Sequence, residues 1–326
     1  MKNAPIIIEK RAKQLLWLAS LRGIAAFFVF FSHSGLIQFL PKETGFITGR
    51  IGVSIFFLIT GYLTINSRLT RSKSQYITNR FIRMYPIYWV LLSISFIIYD
   101  IPLKKFMFNL TLFQEYFGVP NIIGSSWMMS IQIAFFVFIA FSGVNFFFSN
   151  KSRPLLIFLI VIICAIITGF VRYKSGLPFP TAFFLLNATS LIGMYYYDFL
   201  TFKNISKTNL IAIIIIFEAG LMISAKLSYG SRMPAYMVAY NIGLLLFWIA
   251  RRFNLFFHSA IFLGKISYTF FLGAGIGWYF FTKIVNLNFS EINAIIIFIL
   301  QFLVNVVFSW MMTKFIEQPL FSHFKK

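Results

Sequence analysis

An arginine and a histidine inside the first apolar stretch are the residues of this chain best suited to chemistry. Arg22 and His33 stand eleven residues apart in the sequence LASLRGIAAFFVFFSHSGLI. Eleven residues make about three helical turns, so both side chains leave the same face, roughly 16 Å apart along the axis. Ionisable groups inside an apolar span are costly and indicate a functional site. The spacing therefore predicts a site that holds a long ligand.

His33 has two readings at this point. A histidine inside a membrane span can act as a proton acceptor, or it can form a hydrogen bond that joins neighbouring helices. Its common face with Arg22 favours the functional role.

A second group of cations lies in the segment SRLTRSKSQYITNRFIRMYP. Arg80 and Arg83 end this group three residues apart, on one face of a helix. A guanidinium group binds phosphate through two parallel hydrogen bonds. This pair predicts either an anion site at the membrane boundary or the ordinary cations of a cytoplasmic loop, whereas Arg68, Arg71 and Lys73 are typical of such a loop.

Composition identifies the chain as an integral membrane protein. It has 326 residues, 59% of them apolar and 11% charged, with a mean hydropathy of +0.83, and the apolar residues occur in long runs. The formal charge is +21, but the cations form short clusters between apolar spans, which indicates cytoplasmic loops rather than a nucleic-acid partner. One cysteine and three histidines, without an acidic cluster, predict no metal site.

The predicted fold is all-α, with about ten transmembrane helices in a single integral-membrane domain over residues 1–326 and no appended soluble domain. Most basic residues fall in segments on one side, which predicts that both termini are cytoplasmic. The predicted spans are 18–38, 51–67, 84–100, 126–148, 154–172, 181–200, 209–226, 233–250, 262–282 and 291–315.

Two features fall outside this simple pattern of spans. The stretch KKFMFNLTLFQEYFG, residues 104–118, is too polar to span and is expected to lie along the outer surface. Glu218 lies deep within the seventh predicted span, in IIIIFEAGLMIS, and needs a partner inside the protein. Glu218 is therefore a further site candidate.

Six sequence motifs, in order and at suitable spacing, resemble the acyltransferase-3 family of ten-span membrane proteins. The motifs are LRGIAAFFVFFSH, GRIGVSIFFLITGYL, NRFIRMYPIYW, SSWMMSIQIAFF, LGKISYTFFL and KFIEQPL. The resemblance runs almost from end to end of the chain. It implies an enzyme that moves acyl groups, usually acetyl, onto extracytoplasmic glycans and lipids.

The resemblance also implies roles for the charged residues. Arg22 and His33 match residues essential in the family, and Arg80 and Arg83 match the arginines that enter its third span. The donor would be cytoplasmic acetyl-CoA, whose phosphates suit the arginines and whose pantetheine arm would reach outward to His33. Neutral His33 would then act as a general base toward an acceptor hydroxyl, with an acyl-enzyme route as the alternative.

The implied acceptor is a bacterial surface polysaccharide, such as O antigen or capsule, or a lipid-linked sugar, and the implied location is the cytoplasmic membrane. Supporting roles are implied for Trp127, Ser130, Gln132, Ser267, Tyr268 and Glu317.

Two positions depart from the family pattern. Gln132 stands where the fourth-span motif usually ends in an acidic residue, and it cannot serve as a base. The family commonly has a histidine a few residues after its Ser-Tyr. In this chain the equivalent place, after Ser267 and Tyr268, lies near Gly273 and Ala274 and holds no histidine. Glu317 matches the terminal Glu-x-Pro and would either tune the donor site or fix the end of the last helix.

Two other functions stay open at this point. Polytopic proteins with charges inside the membrane are often transporters, so the chain could be a flippase of a lipid-linked sugar or of an acyl donor. It could also be a family member that has lost catalysis, which the two departures favour. Retention of Arg22, His33, Arg80 and Arg83 favours the enzyme.

Overall fold

The computed structural model describes residues 4–177, 180–285 and 293–323, which form helices and no strand. The long helices are α1 (Ala4–Ser32), α2 (Glu43–Leu69), α3 (Lys73–Ile98), α5 (Trp127–Ser142), α7 (Arg153–Ser175), α8 (Thr181–Thr201), α9 (Lys207–Tyr229), α10 (Met233–Phe253), α11 (His258–Val285) and α12 (Ala294–Met312). Shorter helices are α4 (Leu103–Asn109), α6 (Val144–Phe148) and α13 (Gln318–His323). The predicted all-α class is confirmed.

Seven helical stretches among the described residues are long and apolar enough to cross a membrane. One of them, Lys207–Phe253, contains both α9 and α10, and α1 contributes a shorter apolar segment, Leu16–Ser32. The chain is therefore a polytopic membrane protein. The count of ten spans stays a prediction, as does the cytoplasmic location of the termini. Residues 1–3, 324–326 and 291–292, where the last predicted span begins, lie outside the described residues.

The chain divides into two compact units. The first comprises Met1–Gly52, Arg80–Ser130 and Leu246–Lys326, and the second comprises Val53–Asn79 and Ile131–Leu245. The single functional domain over the whole chain stays a prediction.

In the first unit, α1 packs along α11, and α11 packs on α12. Two glycines allow the backbones of α1 and α11 to touch. A Cβ atom at Gly23 would lie 1.9 Å from the carbonyl oxygen of Ala260, and one at Gly264 would lie 1.9 Å from that of Ala19. No side chain larger than hydrogen fits at either place. This contact fixes the part of α11 that faces Arg22.

The chain after α3 turns back along α3, and the surface location expected for residues 104–118 stays a prediction. The rings of Phe96 and Phe106 are 4.5 Å apart near the end of α3. Further along, Tyr88 Oη donates a hydrogen bond of 2.8 Å to the carbonyl of Asn109. Tyr88 precedes the end of α3 by ten residues, so the segment reaches about 15 Å below that end. We call residues 103–126, which run back along the helix that precedes them, the re-entrant segment.

Side chains of α3 satisfy the backbone of this re-entrant segment. Tyr88, Trp89 and Tyr85 donate to the carbonyls of Asn109, Leu110 and Thr111, respectively. A carbonyl that is removed from water needs a protein donor of this kind. The pattern of apolar residues alone does not reveal these partners.

The re-entrant segment ends in a short 3-10 turn, Gly124–Ser126, that leads directly into α5. Ser125 Oγ donates to the carbonyl of Phe271 on α11 at 3.1 Å. The motif SSWMMSIQIAFF therefore begins inside the first unit, against α11.

The second unit is built on α7, which packs on α8 and α9. A glycine contact like that of the first unit joins α2 to α8. A Cβ atom at Gly61 would lie 1.7 Å from the carbonyl oxygen of Ser190, and one at Gly193 would lie 2.1 Å from that of Leu58. The motif GRIGVSIFFLITGYL thus supplies one glycine of a close helix contact.

Candidate functional site

Arg22 is half-buried on α1 and contacts α11 through its guanidinium group. Its Nη2 atom donates a hydrogen bond of 3.0 Å to Ser267 Oγ. Ser267 is fully buried, and its hydroxyl donates to the carbonyl of Gly264 at 2.9 Å. Because that hydroxyl proton is engaged, Ser267 presents a lone pair to Arg22. The first and ninth predicted spans thus meet at two of the predicted site residues.

Glu317 lies in a π-helical turn, Thr313–Glu317, that follows α12. Its Oε2 atom accepts hydrogen bonds from Thr269 Oγ1 at 3.1 Å and from Thr313 Oγ1 at 3.2 Å. Turns of this kind are rare and occur frequently at functional sites. The two hydroxyls hold the carboxylate in place.

Arg22, Arg83 and Glu317 lie close enough to interact electrostatically. We call these three residues the charged cluster. It carries two positive charges and one negative charge, and its carboxylate attracts both guanidinium groups. The two roles predicted for Glu317, to tune the donor site or to fix the end of the last helix, both stay predictions.

Arg83 is exposed on α3, and its guanidinium carbon lies 5.3 Å from the ring centre of Phe321 on α13. Arg80 is half-buried one turn earlier on the same helix. Guanidinium groups at such a place could bind phosphate bidentately.

His33 is exposed and immediately follows the last residue of α1. Its Nδ1 atom lies 2.8 Å from the carbonyl oxygen of Val29 and 2.9 Å from Ser32 Oγ. A carbonyl oxygen only accepts hydrogen bonds, so Nδ1 carries the proton in neutral His33. The Nε2 atom then keeps its lone pair and has no hydrogen-bond partner among the described residues.

His33 lines a cavity of about 350 Å³ in the first unit. Its wall combines apolar side chains with neutral polar ones; the polar members are Ser34, Ser95, Tyr99, Ser125 and Gln301. Ala274 also lines this cavity. It occupies the region where the family commonly has a histidine, so that departure from the family pattern lies at the His33 cavity.

The sequence analysis missed a polar stripe on α12. Gln301, Asn305, Ser309, Thr313 and Glu317 recur every four residues in a mostly apolar stretch. Asn305 Nδ2 donates to the carbonyl of Phe270 at 2.9 Å, and Ser309 Oγ contacts Asn305 Oδ1 at 3.3 Å. The four-residue period was the signal that could have identified these residues. The stripe runs from the charged cluster to the His33 cavity.

Three of the supporting residues also lie in the first unit. Tyr268 Oη donates to the carbonyl of Met84, next to Arg83, and lies 3.7 Å from the sulfur of Met129. Ser130 is buried, and its hydroxyl donates to the carbonyl of Trp127 at 2.7 Å. Tyr268 thus borders the charged cluster, whereas the hydrogen bond of Ser130 joins two residues of α5.

Gln132 and Glu218 belong to the second unit. Gln132 Nε2 donates to Thr60 Oγ1 at 3.3 Å. Glu218 Oε2 accepts a hydrogen bond of 3.0 Å from Asn241 Nδ2 on α10. Asn241 is exposed, so it is not the partner inside the protein that the sequence predicted. Neither Gln132 nor Glu218 is among those brought together at the charged cluster or the cavity.

Across residues 4–177, 180–285 and 293–323, no group of three or more His, Cys, Asp or Glu side chains could hold a metal ion.

The chain matches one family of known proteins. A family model described as an acyltransferase domain matches residues 15–314, which is nearly the whole sequence. With its apolar helices, the protein is therefore a multi-pass membrane acyltransferase. It belongs to the acyltransferase-3 family, as the six motifs predicted. No curated protein and no solved structure matches the chain.

Proposed function

We propose that the protein transfers an acetyl group from cytoplasmic acetyl-CoA to a hydroxyl group of an extracytoplasmic or lipid-linked glycan. In this proposal Arg22, Arg80 and Arg83 bind the phosphates of the donor, and His33 is the general base. The acceptor belongs to the surface polysaccharide of a bacterium, and the protein lies in its cytoplasmic membrane.

One observation carries the proposal. His33 has its Nδ1 atom engaged by Val29, and its Nε2 atom has no partner among the described residues, while the ring lines a cavity. A histidine held in this tautomer is oriented to accept a proton. Arg22 lies on α1, the helix that His33 directly follows, roughly 16 Å away along its axis. A donor with phosphates at one end and a reactive thioester at the other suits that separation.

In the proposed acetyl transfer, His33 is the only residue that carries a proton. The acceptor hydroxyl gives its proton to His33 Nε2 while its oxygen forms a bond to the thioester carbonyl carbon. The carbon–sulfur bond then breaks, and the leaving thiolate of CoA takes the proton from His33. The base is thereby restored for the next turnover.

Purified protein in lipid vesicles tests this function. The vesicles receive acetyl-CoA labelled in the acetyl group, together with lipid-linked glycan from a host strain that lacks the gene. We expect release of free CoA and equal transfer of label to the glycan. Movement of glycan across the membrane without CoA release would contradict the proposal and indicate a flippase. Absence of both CoA release and movement would indicate a member that has lost catalysis.

Omission of the glycan separates the two chemical routes. Direct transfer predicts no stoichiometric release of CoA without acceptor. An acyl-enzyme route predicts release of about one CoA per protein and label bound covalently to the chain.

A further inference from the structure

We propose that Gln301 donates a hydrogen bond to the thioester carbonyl oxygen as negative charge develops on it. This inference rests on the proposed function and adds a second catalytic residue to the His33 cavity. Gln301 lies on α12 and lines the same cavity as His33.

The orientation of the Gln301 amide follows from its neighbour. The backbone N–H of Gly35 donates to Gln301 Oε1 at 3.4 Å. Because an N–H group only donates, the oxygen of the amide faces Gly35 and the Nε2 atom faces away. Within the described part of the chain, Nε2 has no acceptor. Its two N–H groups remain available to a ligand.

The hydroxyl groups of the cavity wall have no such freedom. Ser34, Ser95, Ser125 and Tyr99 each donate to a backbone carbonyl, at 2.8, 2.9, 3.1 and 3.4 Å, respectively. Their oxygens can accept hydrogen bonds, but their protons are engaged. Among the described amide and hydroxyl side chains of this wall, Gln301 alone keeps N–H groups unused by the protein. The cavity thus pairs one proton acceptor, His33 Nε2, with one amide donor.

Aromatic packing joins α12, which carries Gln301, to the end of α1, which His33 follows. Phe298 and Phe302 flank Gln301 on α12, and both contact Phe30 of α1, with ring centres 5.9 and 5.8 Å apart, respectively. Phe30 precedes His33 by three residues. A hydrogen-bond donor fixed before the reaction stabilises developing charge without having to reorganise.

The substitution Gln301→Glu isolates this role. Glutamate keeps the oxygen that accepts from Gly35 and nearly the same volume, but an ionised carboxylate has no N–H to donate. We expect kcat for acetyl transfer to fall by about 10² to 10³, the usual effect of losing one such donor, with the KM for acetyl-CoA unchanged. Gln38→Glu is the matched control, because Gln38 is exposed in the turn after His33 and does not line the cavity. It should keep the wild-type kcat.

A wild-type kcat in Gln301→Glu would overturn the role of Gln301 and leave the proposed function intact. A rise in KM at unchanged kcat would likewise overturn it, because it would indicate uniform binding rather than stabilisation of the transition state. Wild-type protein that transfers no acetyl group would overturn both proposals. If Gln301→Glu fails to fold, Gln301→Met fills a similar volume and carries the same expectation.

Discussion

Arg22 and Ser267 form a 3.0 Å hydrogen bond although 245 residues separate them in the chain. This bond joins the first motif of the sequence to the fifth, and beside it the backbones of α1 and α11 are in close contact. Arg22 also interacts with Arg83 and Glu317. One residue of α1 therefore connects α3, α11 and the turn after α12.

Loss of an arginine from the charged cluster should weaken donor binding. For Arg83→Gln we expect the Kd for CoA, measured by calorimetry on the detergent-solubilised protein, to rise about 10-fold to 100-fold. This range corresponds to the loss of one hydrogen bond to a charged group. Arg71→Gln is the control, because Arg71 is exposed and its guanidinium group donates hydrogen bonds to Ser67, four residues earlier in the chain. Equal weakening by the two variants would argue against a specific phosphate site.

The glycine contact between α1 and α11 predicts a loss of stability on minimal substitution. Gly264→Ala places a Cβ atom 1.9 Å from a backbone oxygen, and backbone cannot move aside as a side chain can. We expect a cost at or above the upper end of the usual 1–3 kcal/mol for overpacking, seen as a lower melting temperature in detergent. Gly275→Ala adds the same methyl group to the same helix, where no atom lies within 4 Å. If both variants had the melting temperature of the wild type, the result would contradict the close approach of α1 and α11.

The re-entrant segment should loosen when a buried hydroxyl is removed. Tyr88→Phe removes one of two donors to the carbonyl of Asn109, which also accepts from the backbone N–H of Leu112 at 3.2 Å, and should cost about 0.5–1.5 kcal/mol. We expect faster hydrogen exchange in residues 103–126. Tyr85→Phe removes a bond to a more exposed carbonyl and should have a smaller effect. Unchanged exchange in Tyr88→Phe would contradict the re-entrant arrangement.

Hydropathy predicted the helical membrane class, because long apolar runs have few alternatives in a bilayer. It did not predict the path of residues 103–126, which depends on hydrogen bonds from three aromatic side chains of α3. Those donors look like ordinary aromatic residues of a span, so composition alone does not indicate that this segment runs back along α3. Hydrogen bonds to side chains of α3 therefore determine the path of residues 103–126.

The candidate site was predictable where a charge stood out against an apolar background. Arg22, Arg83 and Glu317 are such residues, and the structure brings them together. Gln301 and Thr269 are neutral and less conspicuous, although Gln301 starts a four-residue polar stripe on α12 and Thr269 lies in the motif LGKISYTFFL. Glu218 also stood out, but its recorded partner is Asn241 of the second unit.

The role of His33 is the central claim, and acetyl transfer by His33→Ala measures it most directly. Labelled acetyl-CoA and lipid-linked glycan are supplied to vesicles that contain the wild type or the variant, and CoA affinity is measured on the same preparations. We predict that transfer falls by about 10² to 10⁴, the usual contribution of a general base, while CoA affinity stays at the wild-type value. Transfer at the wild-type rate by folded His33→Ala protein would contradict the account.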